Sequence, residues 1–168
     1  MANLKFEIRN TNLNGVKLLN YKKFEEVRGN IFTTFKTENF DINFNHDKFS
    51  TSNYNVLRGI HGDSKSTKLV TAVYGTILQI VVDLRENSST YLQHLAIEID
   101  RQSGTSVLIP PGCGNAYYVL SEQCVYHYKL SYDGEYIDAS EQFTVNWNDP
   151  RLKINWPTEN PILSERDA

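Results

Sequence analysis

The strongest constraint on the fold is a series of short strand-like segments that runs from residue 55 to residue 145. Glycines and polar residues separate these segments, as at Gly75, Gly104 and Asp133-Gly134, and such residues favour tight turns. Many short strands with turns between them are typical of a β-sandwich or a closed double-sheet jelly roll. The predicted strands span residues 55–61, 67–74, 76–85, 91–99, 105–109, 115–120, 123–130 and 141–145.

The rest of the chain completes an all-β prediction. Strands are expected at residues 3–10 and 16–21, and another at 27–35 after a turn. Residues 38–54 are rich in Asn, Asp and Ser, which predicts an irregular stretch with one helical turn. The tail, residues 147–168, contains three of the five prolines and no clear period, so we expect an ordered loop with one short helix.

The composition excludes several classes of protein. The hydrophobic fraction is 40%, the charged fraction is 22% and the formal net charge is -3, so no overall field favours nucleic acid. No apolar run approaches the ~20 residues of a membrane span, and we expect no secretory signal. Cys113 and Cys124 are predicted to be buried thiols of a cytoplasmic protein. Residues 1–168 show no repeat or linker, which predicts a single domain.

One stretch brings a cation suited to phosphate close to a titratable base. Arg58 and His61 lie on the strand predicted at residues 55–61, with Gly59 between them. Strict alternation would place the two side chains on opposite faces of that strand. We therefore predict a bulge or bend at Gly59 that turns both side chains towards one site.

Alternation also assigns faces on two other predicted strands. On the strand at residues 76–85, Gln79 and Asp83 share one face, and their polarity predicts that this face lines a wet cavity or meets solvent. On a later strand, Tyr128 points away from His127. The sequence therefore predicts that Tyr128 shares one face of that strand with Tyr126 and that His127 lies on the opposite face.

A set of short motifs follows in order from about residue 24 to the end of the chain. They are Arg28-Gly29-Asn30-Ile31-Phe32, Val56-Leu57-Arg58-Gly59-Ile60-His61, Lys68-Leu69-Val70, Val82-Asp83-Leu84-Arg85, Ile109-Pro110-Pro111-Gly112, Tyr128-Lys129, Asn148-Asp149-Pro150, Ile154-Asn155-Trp156-Pro157 and Leu163-Ser164-Glu165-Arg166-Asp167. This ordered set resembles the motifs of the dTDP-4-dehydrorhamnose 3,5-epimerases. The resemblance implies a cupin-type jelly roll that forms homodimers, acts on a nucleotide-diphosphate 4-keto sugar and needs no cofactor.

Three positions depart from the pattern of that family. The family's glutamine two residues after the histidine is Asp63 here, its second histidine is Asn115, and a glutamine of its nucleotide-contacting segment is His46. We expect His46 and Asn115 to contact the substrate. The departures imply a different sugar nucleotide, or inversion at only one carbon.

The chemistry of a 4-keto sugar assigns the central roles. Its C3 and C5 protons are acidic because the carbanion delocalises onto the C4 oxygen. An imidazole is a far weaker base than an enolate, and a mismatch of about ten pKa units would cost about 14 kcal/mol, so the enolate oxygen must be stabilised. His61 is the predicted base, Lys68 the predicted cation and Tyr128 the predicted acid on the opposite ring face. Tyr132 is expected to be a further contact.

The remaining predicted residues orient the base or hold the phosphates. The resemblance implies that Asp167 orients His61, and Asp83 is the alternative because it lies on the polar face of its strand. Arg28 and Arg58 are predicted to bind the diphosphate, since guanidinium groups match phosphate oxygens.

Three functions fit these observations. The first is an epimerase that inverts C3, C5 or both in a nucleotide-linked hexose or heptose for capsular polysaccharide or lipopolysaccharide. The second is a 3,4-ketoisomerase of the same fold, which would not need Tyr128, and the third is a non-catalytic sugar-nucleotide-binding jelly roll. The sequence leaves guanine and thymine carriers both open.

The four histidines lack the spacing of metal-dependent cupins, so no metal site is expected. They are His46, His61, His94 and His127.

Overall fold

A computed structural model describes residues 7–100, 102–135 and 139–168. The strands are β1 Glu7–Asn10, β2 Lys17–Asn20, β3 Lys23–Glu26, β4 Gly29–Phe32, β5 His46–Asn53, β6 Leu57–Gly62, β7 Thr67–Tyr74, β8 Thr76–Asp83, β9 His94–Asp100, β10 Thr105–Ile109, β11 Cys113–Val119, β12 Gln123–Ser131 and β13 Phe143–Thr144. Short 3-10 helices span Thr37–Asn39 and Ala139–Glu141. The start of the strand predicted at residues 3–10 lies outside the described residues.

The strands form two antiparallel sheets and one separate hairpin. The six-stranded sheet has the order β1-β2-β10-β7-β12-β5, and the five-stranded sheet has the order β13-β6-β11-β8-β9. Among the described strands, β3 and β4 pair only with each other. This arrangement confirms the double-sheet jelly roll that the spacing of the short strands predicts.

The main core lies between the two sheets and includes the inner face of β8. Ile77 and Val81 are fully buried there, and Gln79 between them is also 0% exposed. The polar face predicted on this strand is therefore buried and does not meet solvent. Burial of each large apolar side chain contributes about 1.5–3 kcal/mol. Other members of this core are Val70, Ala72, Val107, Ile109, Tyr117 and Tyr126.

A second apolar cluster lies on the outer face of the five-stranded sheet and fixes the path of the tail. Leu152 is buried against Ile60 and Ile80, and Trp156 packs at its margin. The short helix predicted within residues 147–168 is absent, and this tail consists of turns and one β-bridge. Its prolines lack the backbone donor that a helix interior requires.

Strand β5 corrects the prediction that residues 38–54 are irregular. It runs antiparallel to β12 along its whole length at the edge of the six-stranded sheet. The inner face is polar where Lys48 and Ser50 line a cavity, and the outer face, which carries Phe49, is exposed. Apolar alternation is therefore absent from a genuine strand. The predicted helical turn corresponds to Thr37–Asn39.

Candidate active site

A cavity of about 290 Å³ opens between the two sheets. Its walls come from β5, β7 and β12 of one sheet, from β6 and β11 of the other, and from the C-terminal part of the chain. Four lining side chains are cationic and one is a carboxylate, which favours an anionic ligand. The lining residues are Lys48, Ser50, Arg58, His61, Lys68, Asn115, Tyr128, Leu130, Gln142, Ser164, Arg166 and Asp167.

A bulge at Gly59 turns Arg58 and His61 into this one cavity. His61 pairs with Asn115 of β11, whereas Arg58 pairs with Tyr117, so two residues of β6 oppose one residue of β11. Gly59 has a φ of +129°, and a Cβ at this position would collide with the facing strand. Only glycine adopts this conformation readily. The bend predicted from the alternation is therefore present.

His61 is held by a buried carboxylate from the end of the chain. Its Nε2 lies 2.5 Å from Asp167 Oδ1, and the two side chains are 23% and 3% exposed. Burial alone would raise the pKa of Asp167, but His61 and Ser164 outweigh it and hold the pKa below its ordinary value. An ionised carboxylate only accepts hydrogen bonds, so Nε2 donates and the lone pair of the neutral ring is on Nδ1.

Asp83, the alternative partner for His61, forms its side-chain hydrogen bonds with other residues. Its carboxylate accepts hydrogen bonds from Nε and Nη2 of Arg85, both at 2.8 Å, and from Ser88 and Thr90. Burial alone would raise the pKa of Asp83, but these partners lower it. Of the two predicted carboxylates, Asp167 is the one that contacts the histidine.

Lys68 enters the cavity from β7 and is nearly buried. Burial lowers the pKa of its ammonium group, and the adjacent carboxylate of Asp63 opposes that shift. Lys68 Nζ lies 3.3 Å from Asp63 Oδ2, while Oδ1 accepts the backbone N–H groups of Lys65 and Ser66. Asp63 was noted in the sequence only as a departure from a motif. The structure makes it the ion-pair partner of the predicted cation.

Tyr128 lines the same cavity from β12. Its ring packs edge-on to Tyr126 at a centroid distance of 4.6 Å. Burial raises the pKa of the Tyr128 phenol well above its ordinary value, and the nearby Tyr117 adds to the shift. The phenol therefore stays protonated at neutral pH. His127 points to the opposite face of the sheet and bonds Asp47, as the alternation predicts.

Three other predicted residues do not line the cavity. Arg28 follows β3 in the exposed hairpin, where its side chain is 78% exposed and pairs with Glu26. His46 and Tyr132 lie at the beginning of β5 and just after β12, with ring centroids 6.1 Å apart. Neither is part of the cavity wall. The predicted roles of these three in substrate binding remain predictions.

Several residues of the cavity wall are not predicted by the sequence. Lys48 and Ser50 lie in the segment that the sequence predicts to be irregular. The available signal was their spacing of two, the period of a strand face. Arg166 was overlooked although it precedes Asp167, and it reaches the wall by bonding Thr144 and Gln142.

Among the described residues there is no group of three or more His, Cys, Asp or Glu side chains placed to hold a metal ion. Within the same part of the chain, no helix has the length and apolar character needed to cross a bilayer.

Comparison with known proteins gives a consistent family assignment. The family model described as dTDP-4-dehydrorhamnose 3,5-epimerase matches residues 10–168. The dTDP-4-dehydrorhamnose 3,5-epimerase of Salmonella typhimurium is 31% identical over 163 residues, which cover 91% of this chain and 87% of that protein. The dTDP-4-dehydrorhamnose 3-epimerase of Streptomyces niveus is 37% identical over 121 residues, which cover 70% of this chain and 57% of that protein.

A solved structure supports the same assignment. The dTDP-6-deoxy-D-glucose-3,5-epimerase of Legionella pneumophila, in complex with dTDP-4-keto-L-rhamnose, superimposes with a TM-score of 0.89. The two chains are 29% identical, and the match covers 97% of this chain and 90% of the other. The jelly roll described above is therefore of the cupin type found in these enzymes.

Proposed function

The chain belongs to the dTDP-4-dehydrorhamnose 3,5-epimerase family, and we propose that it inverts C3, C5 or both in a nucleotide-diphosphate 4-keto sugar. The observation that carries this proposal is one cavity lined by the His61–Asp167 pair, Lys68 and Tyr128. These groups supply a base, a cation and an acid, which are the components that proton removal and return require. The relatives named above make a dTDP-linked sugar the first substrate to test.

The base step uses His61. Its Nδ1 lone pair removes a proton next to the C4 keto group, and the ring becomes an imidazolium. Asp167 then holds that cation through the Nε2 hydrogen bond, which is a charge-assisted contact in a buried setting. The carboxylate therefore orients the ring before the step and stabilises its charge after it.

The enolate and its reprotonation use the other two groups. Lys68 places a positive charge in the cavity, where a low dielectric strengthens its attraction to the C4 oxygen. Asp63 helps to keep that ammonium group protonated despite its burial. Tyr128 donates its proton to the opposite face of the carbanion, and its raised pKa ensures that the proton is present at neutral pH.

The phosphates meet the cationic rim of the cavity. Arg58 is exposed at this rim, and its Nε donates to Ser52 Oγ at 2.9 Å. Lys48 and Arg166 add two further cations. Guanidinium and ammonium groups suit a diphosphate, so we assign the rim to it.

The same proposal includes a homodimer formed through the β3–β4 hairpin. Phe24 and Ile31 face each other across the hairpin, and both are largely exposed, as is Val27 at its turn. Exposed apolar surface of this kind marks contacts with other chains. Arg28 in the same turn would then act at a neighbouring subunit.

Analytical ultracentrifugation tests the homodimer. The double variant Phe24→Ser/Ile31→Ser should shift a dimer to monomer, and a wild-type protein that is monomeric at micromolar concentration would contradict the proposal.

We further propose that this is a single-domain cytoplasmic enzyme that supplies sugars for surface polysaccharides. The buried free thiols Cys113 and Cys124 suit a reducing compartment. Nucleotide-linked sugars are the donors from which glycosyl transfer builds such polymers.

Solvent exchange tests the activity directly. The purified protein is incubated with dTDP-4-keto-L-rhamnose in deuterium oxide, and proton NMR follows the sugar. We expect loss of the C3 proton signal, the C5 proton signal or both, together with resonances of the inverted sugar. Retention of protium at both positions under these conditions would exclude the epimerase proposal for this substrate.

A further inference from the structure

A buried network of amides lies behind the cavity wall. Gln79 of β8 is 0% exposed, and its Nε2 lies 2.9 Å from the Ile80 carbonyl oxygen and 3.1 Å from the Ala116 carbonyl oxygen. Carbonyl oxygens only accept hydrogen bonds, so the atom that contacts both must be the nitrogen. The two ends of an amide side chain are often hard to distinguish. Here the two carbonyls determine the orientation of Gln79.

The orientation of Gln79 determines that of Asn115. Gln79 Nε2 lies 2.7 Å from the nearer end of the Asn115 amide, which must therefore be the oxygen. The Tyr126 hydroxyl donates to Gln79 Oε1 at 2.6 Å and lies 3.3 Å from the same Asn115 oxygen. A flip of the Asn115 amide would set two donors against each other in a buried site, which is unfavourable.

This arrangement leaves the Asn115 nitrogen facing the cavity. Asn115 lines the cavity, is 7% exposed and pairs across the sheet with His61. Among the described residues, no hydrogen bond from its Nδ2 to another protein group is found. The group presented to a ligand is thus a pure donor that carries no charge and does not titrate.

We propose that Asn115 Nδ2 donates a hydrogen bond to the C4 oxygen of the sugar, and that Gln79 is the positioning residue that aims it. This inference rests on the proposed function. A keto or enolate oxygen only accepts hydrogen bonds, so a fixed donor beside the base complements it. Together with Lys68, Asn115 then completes the stabilisation of the enolate. The epimerase family has a histidine at the position of Asn115, so this chain replaces a titratable group with a neutral one of fixed orientation.

Asn115→Leu removes the donor and leaves the network satisfied. Gln79 keeps its two carbonyl acceptors, and the Tyr126 hydroxyl keeps Gln79 Oε1, so no buried polar group loses its last partner. We expect kcat for deuterium exchange to fall on the order of 100-fold, with KM changed less than about threefold because the enolate forms only after binding. Asn53→Leu, on the exposed side of β5, is the matched control and should retain wild-type kcat.

Asn115→Asp is a second test variant in case Asn115→Leu fails to fold. At a pH where it is ionised, the new carboxylate keeps an oxygen for Gln79 and Tyr126 and lacks only the donor, so kcat should fall at least as far as in Asn115→Leu. A kcat within about threefold of wild type in either folded variant would overturn the assignment. So would a raised KM with unchanged kcat. If wild-type protein itself shows no exchange, the proposed function has failed, and this outcome is distinct from active wild type with equally active variants.

A double-mutant cycle tests the role of Gln79. Gln79→Glu replaces the nitrogen that fixes Asn115, and kcat should fall while KM stays near its wild-type value. In the Gln79→Glu/Asn115→Leu variant the two losses should not multiply, because Gln79 acts only through Asn115. Independent, multiplicative losses would show that Gln79 does not act by aiming Asn115.

Discussion

Two histidine–carboxylate pairs on this jelly roll have similar hydrogen bonds and opposite surroundings. His61 lies 2.5 Å from Asp167, and His127 lies 2.7 Å from Asp47. At the first pair the carboxylate is buried and the ring faces a cavity. At the second pair the carboxylate is 52% exposed and the ring is nearly buried. The short hydrogen bond therefore does not distinguish a candidate base from a structural histidine.

The side chains of the second pair, His127 and Asp47, pack against neighbouring residues. The His127 ring stacks on Phe49 at a centroid distance of 4.6 Å, and Asp47 also accepts from Lys129 at 2.8 Å. Lys129 in turn lies over the Phe35 ring. These contacts hold a loop and an edge strand on the outer face of the sheet, and exposed ion pairs contribute only about 0–1 kcal/mol.

The comparison shows which surroundings make a histidine useful as a base. It needs a carboxylate that solvent does not screen, an open face towards a cavity, and an acid across that cavity. Among the described histidines, only His61 combines a buried carboxylate with a place in the wall of a cavity that also contains Tyr128, the proposed acid.

The largest expected difference between the two pairs comes from removing the imidazole ring of each histidine. His61→Asn should lower the rate of deuterium exchange about 1000-fold, because general-base catalysis contributes 100- to 10,000-fold in typical enzymes. His127→Asn should leave the rate within about twofold, since the ring touches no cavity residue that takes part in the proposed reaction. Exchange rates are measured by NMR on folded variants. Equal losses in both variants would remove the distinction between the two pairs.

The acid across the cavity gives the next effect. In Tyr128→Phe, His61 still removes the proton and returns solvent deuterium to the same face, so exchange should persist. Inversion should fall about 100-fold because the opposite face has lost its donor. The two rates are read from one NMR time course, with Tyr74→Phe on the exposed surface as control. Unchanged inversion would exclude Tyr128 as the acid.

Substitution of the two carboxylates should give a smaller difference in kcat than substitution of the two imidazole rings. Asp167→Asn keeps the shape but removes the charge that orients His61 and stabilises its imidazolium, so kcat should fall about 10- to 100-fold. The matched change Asp47→Asn should have an effect below about twofold, because the exposed carboxylate supports packing alone. A similar kcat for the two variants would contradict the importance of burial.

The smallest effect is a shift in pH dependence. Lys68 must be protonated to stabilise the enolate, and burial already lowers its pKa while Asp63 opposes the shift. Asp63→Asn should lower that pKa further, so the alkaline limb of the kcat profile should move to lower pH. Asp47→Asn removes the carboxylate beside Lys129 instead and should leave the limb in place. Movement of the limb to higher pH in Asp63→Asn would contradict the role of Asp63.

Much of the fold could be read from the sequence because glycines and polar turn residues separate short segments rich in apolar and β-branched residues. Strands β6 to β12 were predicted within a few residues for this reason. Strand β5 was missed because its inner face is polar where it lines the cavity, so the apolar signal disappears there. The predicted helix in the tail was wrong because apolar contacts with the outer sheet hold that segment in turns.

The sequence by itself determined the strand architecture and, through ordered motifs, the identity of the predicted base, acid and cation. It also predicted the bend at Gly59, since alternation alone would separate Arg58 from His61. Only the tertiary structure decided that Asp167 rather than Asp83 holds His61, that Asp63 pairs with Lys68, and how the Asn115 amide is oriented. Contacts such as His61 to Asp167, 106 positions apart, depend on how the tail crosses a sheet. Local periodicity carries no information about such distant pairs, and packing of the whole molecule sets them.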